Sequence, residues 1–229
     1  MLYTESSVRD NIRNREGKRV FYLAGGDTLT PGARDWLRRE KIEILCPEEA
    51  KPERFRLLSG GYSEEKPEHM THLNREVLVP KTHPRIAFRG KMDTLEAELI
   101  LAQLAAPKAA VKLEEILSLA RKILRCDVLE EPLEVTVLCG LTEQEMRHRS
   151  HFPQEYYGTA HFMPAADHGE PMARLNRARC AAREAELKAC DAFSDREGKP
   201  TRPDILRAMN RMSSMLYILM VQMKAGNAR

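Results

Sequence analysis

Three charged residues at helical spacing, Arg179, Arg183 and Glu186, are the side chains of this chain best suited to binding an anion. Residues at i, i+4 and i+7 share one face of an α-helix, because successive residues are about 100° apart. Two stacked arginines repel each other, and a polyphosphate would bind both through paired hydrogen bonds while Glu186 held one guanidinium in place. A solvated charged face is the alternative, and this helix alone does not decide between the two.

The same helix carries an apolar stripe that predicts burial of its opposite side. The stripe consists of Leu175, Ala178, Ala182, Ala185 and Ala189. Arg179 and Arg183 each follow an alanine of the stripe by one position, so both lie on the flank of the buried seam. A flank position is where a cleft or a subunit contact forms.

Two more polar residues lie on otherwise apolar helices. Asp93 stands near the start of a helix, where a carboxylate is favourable by itself. Asn210 lies beside the apolar stripe of the last helix, and an asparagine in such a place usually has a hydrogen-bond partner. A solvent-facing side chain is the alternative for Asn210.

Composition restricts the class of protein. The chain has 229 residues, of which 31% are charged, with a net charge of +3. The absence of a long basic tract and an aromatic content of 6% argue against a nucleic-acid partner. The sequence has neither a long apolar segment nor the features of a signal peptide, so we expect a soluble protein without membrane contact. Five scattered cysteines are typical of reduced thiols in a cytoplasm.

The order of apolar, polar and turn-forming residues divides the chain into three segments. Residues 1–60 predict a small accessory α/β unit with strands at 19–24 and 42–45 and a helix that begins at Thr30 and Pro31. Gly25-Gly26 predicts a turn, since no phosphate-loop motif accompanies it. Residues 61–84 are polar and proline-spaced and predict an irregular linker. Its three histidines lack the spacing of a metal site, so we expect surface histidines; they are His69, His72 and His83.

Residues 85–229 predict helices throughout. Apolar residues recur at three- and four-residue steps, and Thr142 with Glu145 forms a capping box. The predicted helices are 91–106, 109–128, 142–149, 169–193 and 201–225. Short links between such helices favour an all-α fold, a five-helix bundle with the small N-terminal α/β extension.

Taken together, three motifs resemble a known family in their order and spacing. They are Gly90-x-x-Asp93, Arg179-x3-Arg183-x2-Glu186 and Asn210-Arg211-Met212-Ser213. This set resembles the signature of ATP:cob(I)alamin adenosyltransferases of the five-helix-bundle kind. Stretches that begin at Leu29, Met70, Asp127 and His161 are similar to the ethanolamine-utilisation branch of that family. The resemblance runs from about residue 17 to 217.

The resemblance implies transfer of the 5′-deoxyadenosyl group of ATP to cob(I)alamin, with triphosphate leaving and Mg²⁺ on the phosphates. It implies catalytic roles for Arg179, Arg183 and Asp93, and ATP binding by Glu186 and Asn210. A catalytic base is not required, because reduced cobalt is itself a strong nucleophile.

The resemblance leaves two parts of the implied site without an assigned residue. Arg89, with Lys81 and Arg85, is a candidate for the triphosphate tail, because the glycine-rich N-terminal ATP loop of related enzymes is missing. His161 and Phe162 compete for the position of the aromatic residue that keeps the lower axial ligand off cobalt.

Other expectations concern metals and partners. Some members of the family carry a Cys-Cys-x-x-Cys cluster before the segment that corresponds to Thr71-His72-Leu73. This sequence has no cysteine there, so we expect no transition-metal site.

The resemblance implies a homo-oligomer, a dimer or trimer, with Asp93 paired to Arg179 across the subunit boundary. It also implies a cytoplasmic location, with the interior of a bacterial microcompartment as an alternative. A non-catalytic scaffold or cargo-docking protein of a microcompartment, or another ATP-dependent transferase, are the competing hypotheses.

Overall fold

The computed structural model describes residues 1–15, 18–46, 55–63 and 65–226. The chain forms two compact units, one of residues 1–55 with 62–65 and one of residues 56–61 with 66 onwards. The protein is mostly helical, as predicted. Within the described ranges, no helix is long and apolar enough to cross a lipid bilayer.

The first unit contains the predicted strand–helix–strand order. Its elements are β1 (Leu2–Tyr3), α1 (Glu5–Asp10), β2 (Arg13–Arg15), β3 (Lys18–Tyr22), β4 (Thr28–Leu29), α2 (Pro31–Arg39) and β5 (Glu43–Leu45). Strand β3 pairs in parallel with β5 and antiparallel with β2. Helix α2 begins where predicted, because the Thr30 hydroxyl accepts a hydrogen bond from the Ala33 amide and proline occupies the first helical position.

The structure differs from the expectation of an irregular linker at 61–84. The strands in and around this segment are β6 (Phe55–Leu57), β7 (Tyr62–Ser63), β8 (Met70–His72) and β9 (Val77–Pro80). Strand β9 pairs in parallel with β6 and antiparallel with β8, and Val77, Leu78 and Val79 are buried. The apolar run Val77–Val79 is only three residues long, which is too short to indicate a strand by itself. It forms a strand because β6 and β8 pair with it, and the local composition does not predict that pairing.

The remainder of the second unit is helical around one hairpin. Its elements are α3 (Pro84–Ala105), α4 (Ala110–Leu129), the strands β10 (Val137–Leu138) and β11 (Leu141–Thr142), α5 (Glu143–His151), α6 (Pro153–Tyr157), α7 (Gly169–Ala192) and α8 (Pro203–Lys224). The capping box of Thr142 and Glu145 is confirmed. Helix α3 begins before the predicted Lys91, because the His83 ring accepts a hydrogen bond from the Arg85 amide and Pro84 follows the cap.

Helix α7 is the central helix of this unit. It packs against α3 on one side and α8 on the other, while α4 packs on α3 and α5 on α8. The predicted stripe from Leu175 to Ala189 is buried, and its alanines let the neighbouring helices approach closely. This packing fixes the rotation of α7 and therefore the direction of its arginines.

Candidate active site

An open cleft of about 350 Å³ lies along α7 and α8, beside the end of α5. Its lining includes Arg179, Arg183, Asn210 and Arg211, together with three serines, two histidines and Tyr217. No carboxylate lines the cleft within the described ranges. A concave surface with three arginines and no acid is strongly positive, which suits a polyanion.

Arg179 and Arg183 differ in what holds them. Arg179 donates from Nε and Nη2 to the side-chain oxygen of Asn176, at 3.3 and 3.1 Å, so a neutral amide one turn earlier orients its guanidinium. Arg183 is exposed and makes no hydrogen bond or ion pair with any residue that the structure describes. Its donors are therefore available to a ligand.

Glu186 does not hold an arginine, contrary to the expectation from spacing. Its Oε1 accepts a hydrogen bond from Nδ2 of Asn210 across the α7–α8 contact, at 2.8 Å. The Asn210 side-chain oxygen in turn accepts from Nη2 of Arg211. The expected partner of Asn210 therefore exists, and the solvent-facing alternative is wrong.

His161 lines the cleft with both ring nitrogens engaged. Nε2 lies 3.1 Å from the His151 carbonyl oxygen and Nδ1 lies 2.7 Å from the Tyr217 hydroxyl. A carbonyl oxygen only accepts, so in the neutral imidazole Nε2 carries the proton and Nδ1 accepts from the Tyr217 hydroxyl. The two rings also stack, with 5.6 Å between centroids and 14° between planes.

Phe162, the competitor of His161, is not among the residues that line the cleft. Its ring stacks on Tyr217 at 6.4 Å, contacts His168 edge-on, and has the Lys224 ammonium 4.2 Å from its centroid. Tyr217 therefore contacts both candidate rings and orders the segment that carries them.

Arg89 is not brought to the cleft. Its Nε donates to the Asp127 carboxylate at 2.6 Å and its Nη2 to the Leu73 carbonyl, also at 2.6 Å. Arg85 binds the other oxygen of Asp127 at 2.8 Å. Asp127 has no exposed surface, and a buried carboxylate needs such cationic partners. The structure thus places Arg85 and Arg89 in an ion-pair cluster between α3 and α4, a role that sequence reasoning missed.

Asp93 lies on the exposed side of α3 and has no hydrogen bond or ion pair with any described residue. It does not contact Arg179 within the chain. The same helical face continues through three exposed apolar residues: Ala97, Ile100 and Leu104.

Four cleft residues were not anticipated from the sequence. Ser214 and Tyr217 follow Asn210 by four and seven positions, so helical spacing was an available signal for both. Ser150 and His151 lie at the end of α5 and reach the cleft because α5 packs on α8. No sequence pattern near these two residues indicates that they belong to the site.

The second unit is therefore a mostly helical structure whose cleft suits a polyanion and has a histidine–tyrosine pair beside its arginines. The model of the cobalamin adenosyltransferase family matches residues 61–223, so the chain belongs to that family. Both the resemblance and the adenosyltransferase activity predicted from the sequence are thereby confirmed.

Two curated relatives align with nearly the whole chain. The corrinoid adenosyltransferase EutT of Salmonella typhimurium is 33% identical, over 95% of this chain and 90% of the relative. The protein of the same name from Escherichia coli strain K12 is 31% identical over the same shares. No solved structure matches this chain.

Proposed function

We propose that this chain transfers the 5′-deoxyadenosyl group of ATP to cob(I)alamin. The cobalt electron pair forms the Co–C5′ bond, the C5′–O bond breaks, and triphosphate leaves with the bonding electrons. The observation that carries the proposal is the convergence of Arg179, Arg183 and Asn210 on one acid-free cleft in a member of this family. Family membership also favours this enzyme over a non-catalytic scaffold.

Arg179 and Arg183 would bind and neutralise the triphosphate. Arg183 has free donors, and Arg179 is oriented by Asn176, so both fit bidentate phosphate contacts. Charge on the leaving phosphates grows in the transition state, where preorganised cations are most effective. Mg²⁺ would enter the cleft bound to the phosphate oxygens of ATP, since no carboxylate lines the cleft within the described ranges.

The His161–Tyr217 pair would face the corrinoid and exclude water. Both nitrogens of His161 are already hydrogen-bonded, so His161 would serve as a wall of the cleft rather than as a cobalt ligand. Phe162 then remains the candidate that keeps the axial ligand off cobalt, and its packing on Tyr217 supports a fixed position. A fixed wall improves orientation of C5′ against the cobalt.

The site would be completed by a second copy of the chain. Asp93 and Arg183 are both exposed and unpaired among the described residues, and each lies beside exposed apolar side chains on its own helix. Leu104 on α3 and Leu187 on α7 are 77% and 68% exposed, and Leu104 continues a line of exposed apolar side chains with Ala97 and Ile100 at successive turns of α3. A homo-oligomer would cover them and bring Asp93 to Arg179 of the neighbour.

The remaining proposals concern organisation and role. Helices α3, α4, α5, α7 and α8 would form the five-helix bundle of the catalytic domain at 85–229, with residues 1–60 as an accessory unit. The relatives' name, corrinoid adenosyltransferase EutT, is consistent with supply of adenosylcobalamin to an ethanolamine-degrading enzyme. The proposed location is the cytoplasm, including the interior of a microcompartment.

The decisive experiment is an anaerobic assay that follows loss of cob(I)alamin absorbance when ATP is added. We expect turnover by the wild type and by Arg174→Ala, a control on α7 whose arginine pairs with Glu170 outside the cleft. We expect little turnover by Arg183→Ala. Absence of turnover in the wild type would reject the proposed reaction.

A further inference from the structure

Asn210 lies between two opposite charges. Its Nδ2 donates to the Glu186 carboxylate at 2.8 Å, and its Oδ1 accepts from the Arg211 guanidinium. Glu186, Asn210 and Arg211 therefore form a hydrogen-bonded series across the α7–α8 contact. The neutral amide of Asn210 links the carboxylate to the guanidinium.

The two charges allow only one orientation of the amide. A flipped Asn210 would place its oxygen against the Glu186 carboxylate and its N–H groups against the Arg211 guanidinium, and both contacts would be repulsive. With the observed orientation, one N–H of Nδ2 and one lone pair of Oδ1 are left for a ligand in the cleft. The amide therefore presents a defined donor and a defined acceptor.

Arg211 has few other partners. Its Nε and Nη1 atoms are buried and make no hydrogen bond within the described residues. Burial lowers the pKa of its guanidinium from the ordinary value, while the charges of Glu143 and Glu186 act in the opposite direction. Desolvating a guanidinium that has so few hydrogen bonds costs stability, so packing alone is a poor reason for an arginine here.

We propose that Arg211 is a positioning residue that fixes the Asn210 amide for ATP, acting through Asn210 rather than on ATP directly. This inference rests on the proposed function. A wrongly turned or rotating amide loses an oriented hydrogen bond to ATP, which corresponds to about a tenfold weaker interaction.

The test compares KM for ATP and kcat in five proteins: the wild type, Arg211→Met, Arg211→Lys, Asn210→Ala and the double variant Asn210→Ala/Arg211→Met. Arg207→Met is the matched control, since Arg207 lies one turn earlier on α8 with a 63% exposed side chain, outside the cleft. We expect Arg211→Met to raise KM for ATP about tenfold and Arg211→Lys to restore most of the loss, because lysine can still donate to Oδ1.

The double variant distinguishes the proposed role from a structural one. If Arg211 acts through Asn210, Arg211→Met has no further effect on KM once Asn210 is alanine. Additive losses, or an unchanged KM in Arg211→Met, would overturn the inference even with an active wild type. If Arg211→Met does not fold, Arg211→Ala with and without Asn210→Ala gives the same cycle, because alanine also removes the donor to Oδ1. An inactive wild type would instead reject the proposed function, and the ATP-dependent shift in melting temperature would still compare the variants.

Discussion

Asn210 of α8 donates a hydrogen bond to Glu186 of α7, with 2.8 Å between Nδ2 and Oε1. This contact joins the two motif helices at the base of the cleft and leaves Arg183, three residues before Glu186, without a partner among the described residues. A carboxylate that is satisfied by an amide does not compete with phosphate for the arginines. Glu186 keeps its charge, and its hydrogen bond goes to Asn210 and not to Arg179 or Arg183.

We predict that Arg183→Ala removes most activity and leaves the fold intact. Loss of a charge-assisted contact to the leaving phosphate should cost about 3 kcal/mol in the transition state, or roughly a hundredfold in kcat/KM. The side chain is exposed, so the melting temperature should not change. Turnover near that of Arg174→Ala would contradict the assignment of this helix to ATP.

Asp93 and Arg179 are predicted to act as a pair across a subunit boundary. Asp93→Asn and Arg179→Ala should each reduce activity and weaken assembly, and their effects should be strongly non-additive. Kinetics in a double-mutant cycle and the mass in solution by light scattering check this. Simple additivity, or a fully active monomer, would remove the intersubunit site.

Arg89 is predicted to stabilise the fold instead of binding ATP. Removing one partner of a buried ion pair costs about 3 kcal/mol or more, because the other charge is left uncompensated. Arg89→Met and Asp127→Asn should therefore unfold at lower urea concentration while keeping KM for ATP at low temperature. The control is Arg125→Met, whose side chain is 65% exposed. A raised KM with unchanged stability would return Arg89 to the ATP site.

Asp204 is predicted to make stability depend on acidity. Burial acts to raise the pKa of Asp204, but hydrogen bonds from Arg202 and from the Leu133 and Ile205 amides outweigh it and lower the pKa to about 2. Because the pKa of Asp204 is lower in the folded than in the unfolded protein, its ionised carboxylate stabilises the fold. This contribution to the free energy of unfolding is complete above the unfolded-state pKa near 3.8 and is lost as the pH falls toward 2.

Asp204→Asn should accordingly lower the free energy of unfolding at pH 7 by about 2 kcal/mol, and the difference from wild type should shrink between pH 4 and pH 2. Urea unfolding followed by helical circular dichroism measures both values. Asp191→Asn, a change at a side chain that is 59% exposed, is the control and should stay within about 0.5 kcal/mol of wild type. A difference that does not vary with pH would refute the linkage.

Chelation of transition metals is predicted to leave activity unchanged once Mg²⁺ is restored. The basis is the sequence before Thr71, which has no cysteine in the stretch where some members carry a cysteine cluster. Metal analysis before and after chelation, paired with the anaerobic assay, checks this. A stoichiometric transition metal whose removal stops turnover would show the prediction to be wrong.

The sequence by itself determined the long helices of the second unit, their buried faces and the motifs, although it placed the start of α3 too late and did not indicate α1 or α6. Apolar spacing within one helix is a local property, so the buried stripe of α7, the capping box at Thr142 and the common side of Arg179 and Arg183 follow from about 100° per residue. The order of the motifs was also sufficient to indicate the family.

The tertiary structure alone decided which side chains meet. Arg89 and Arg183 look alike in sequence, yet one binds the buried Asp127 and the other remains free in the cleft. Likewise, the partner of Glu186 is Asn210 of another helix rather than an arginine of its own. Such pairings depend on helix packing between residues far apart in the chain, and a buried charge or amide takes whichever partner that packing supplies.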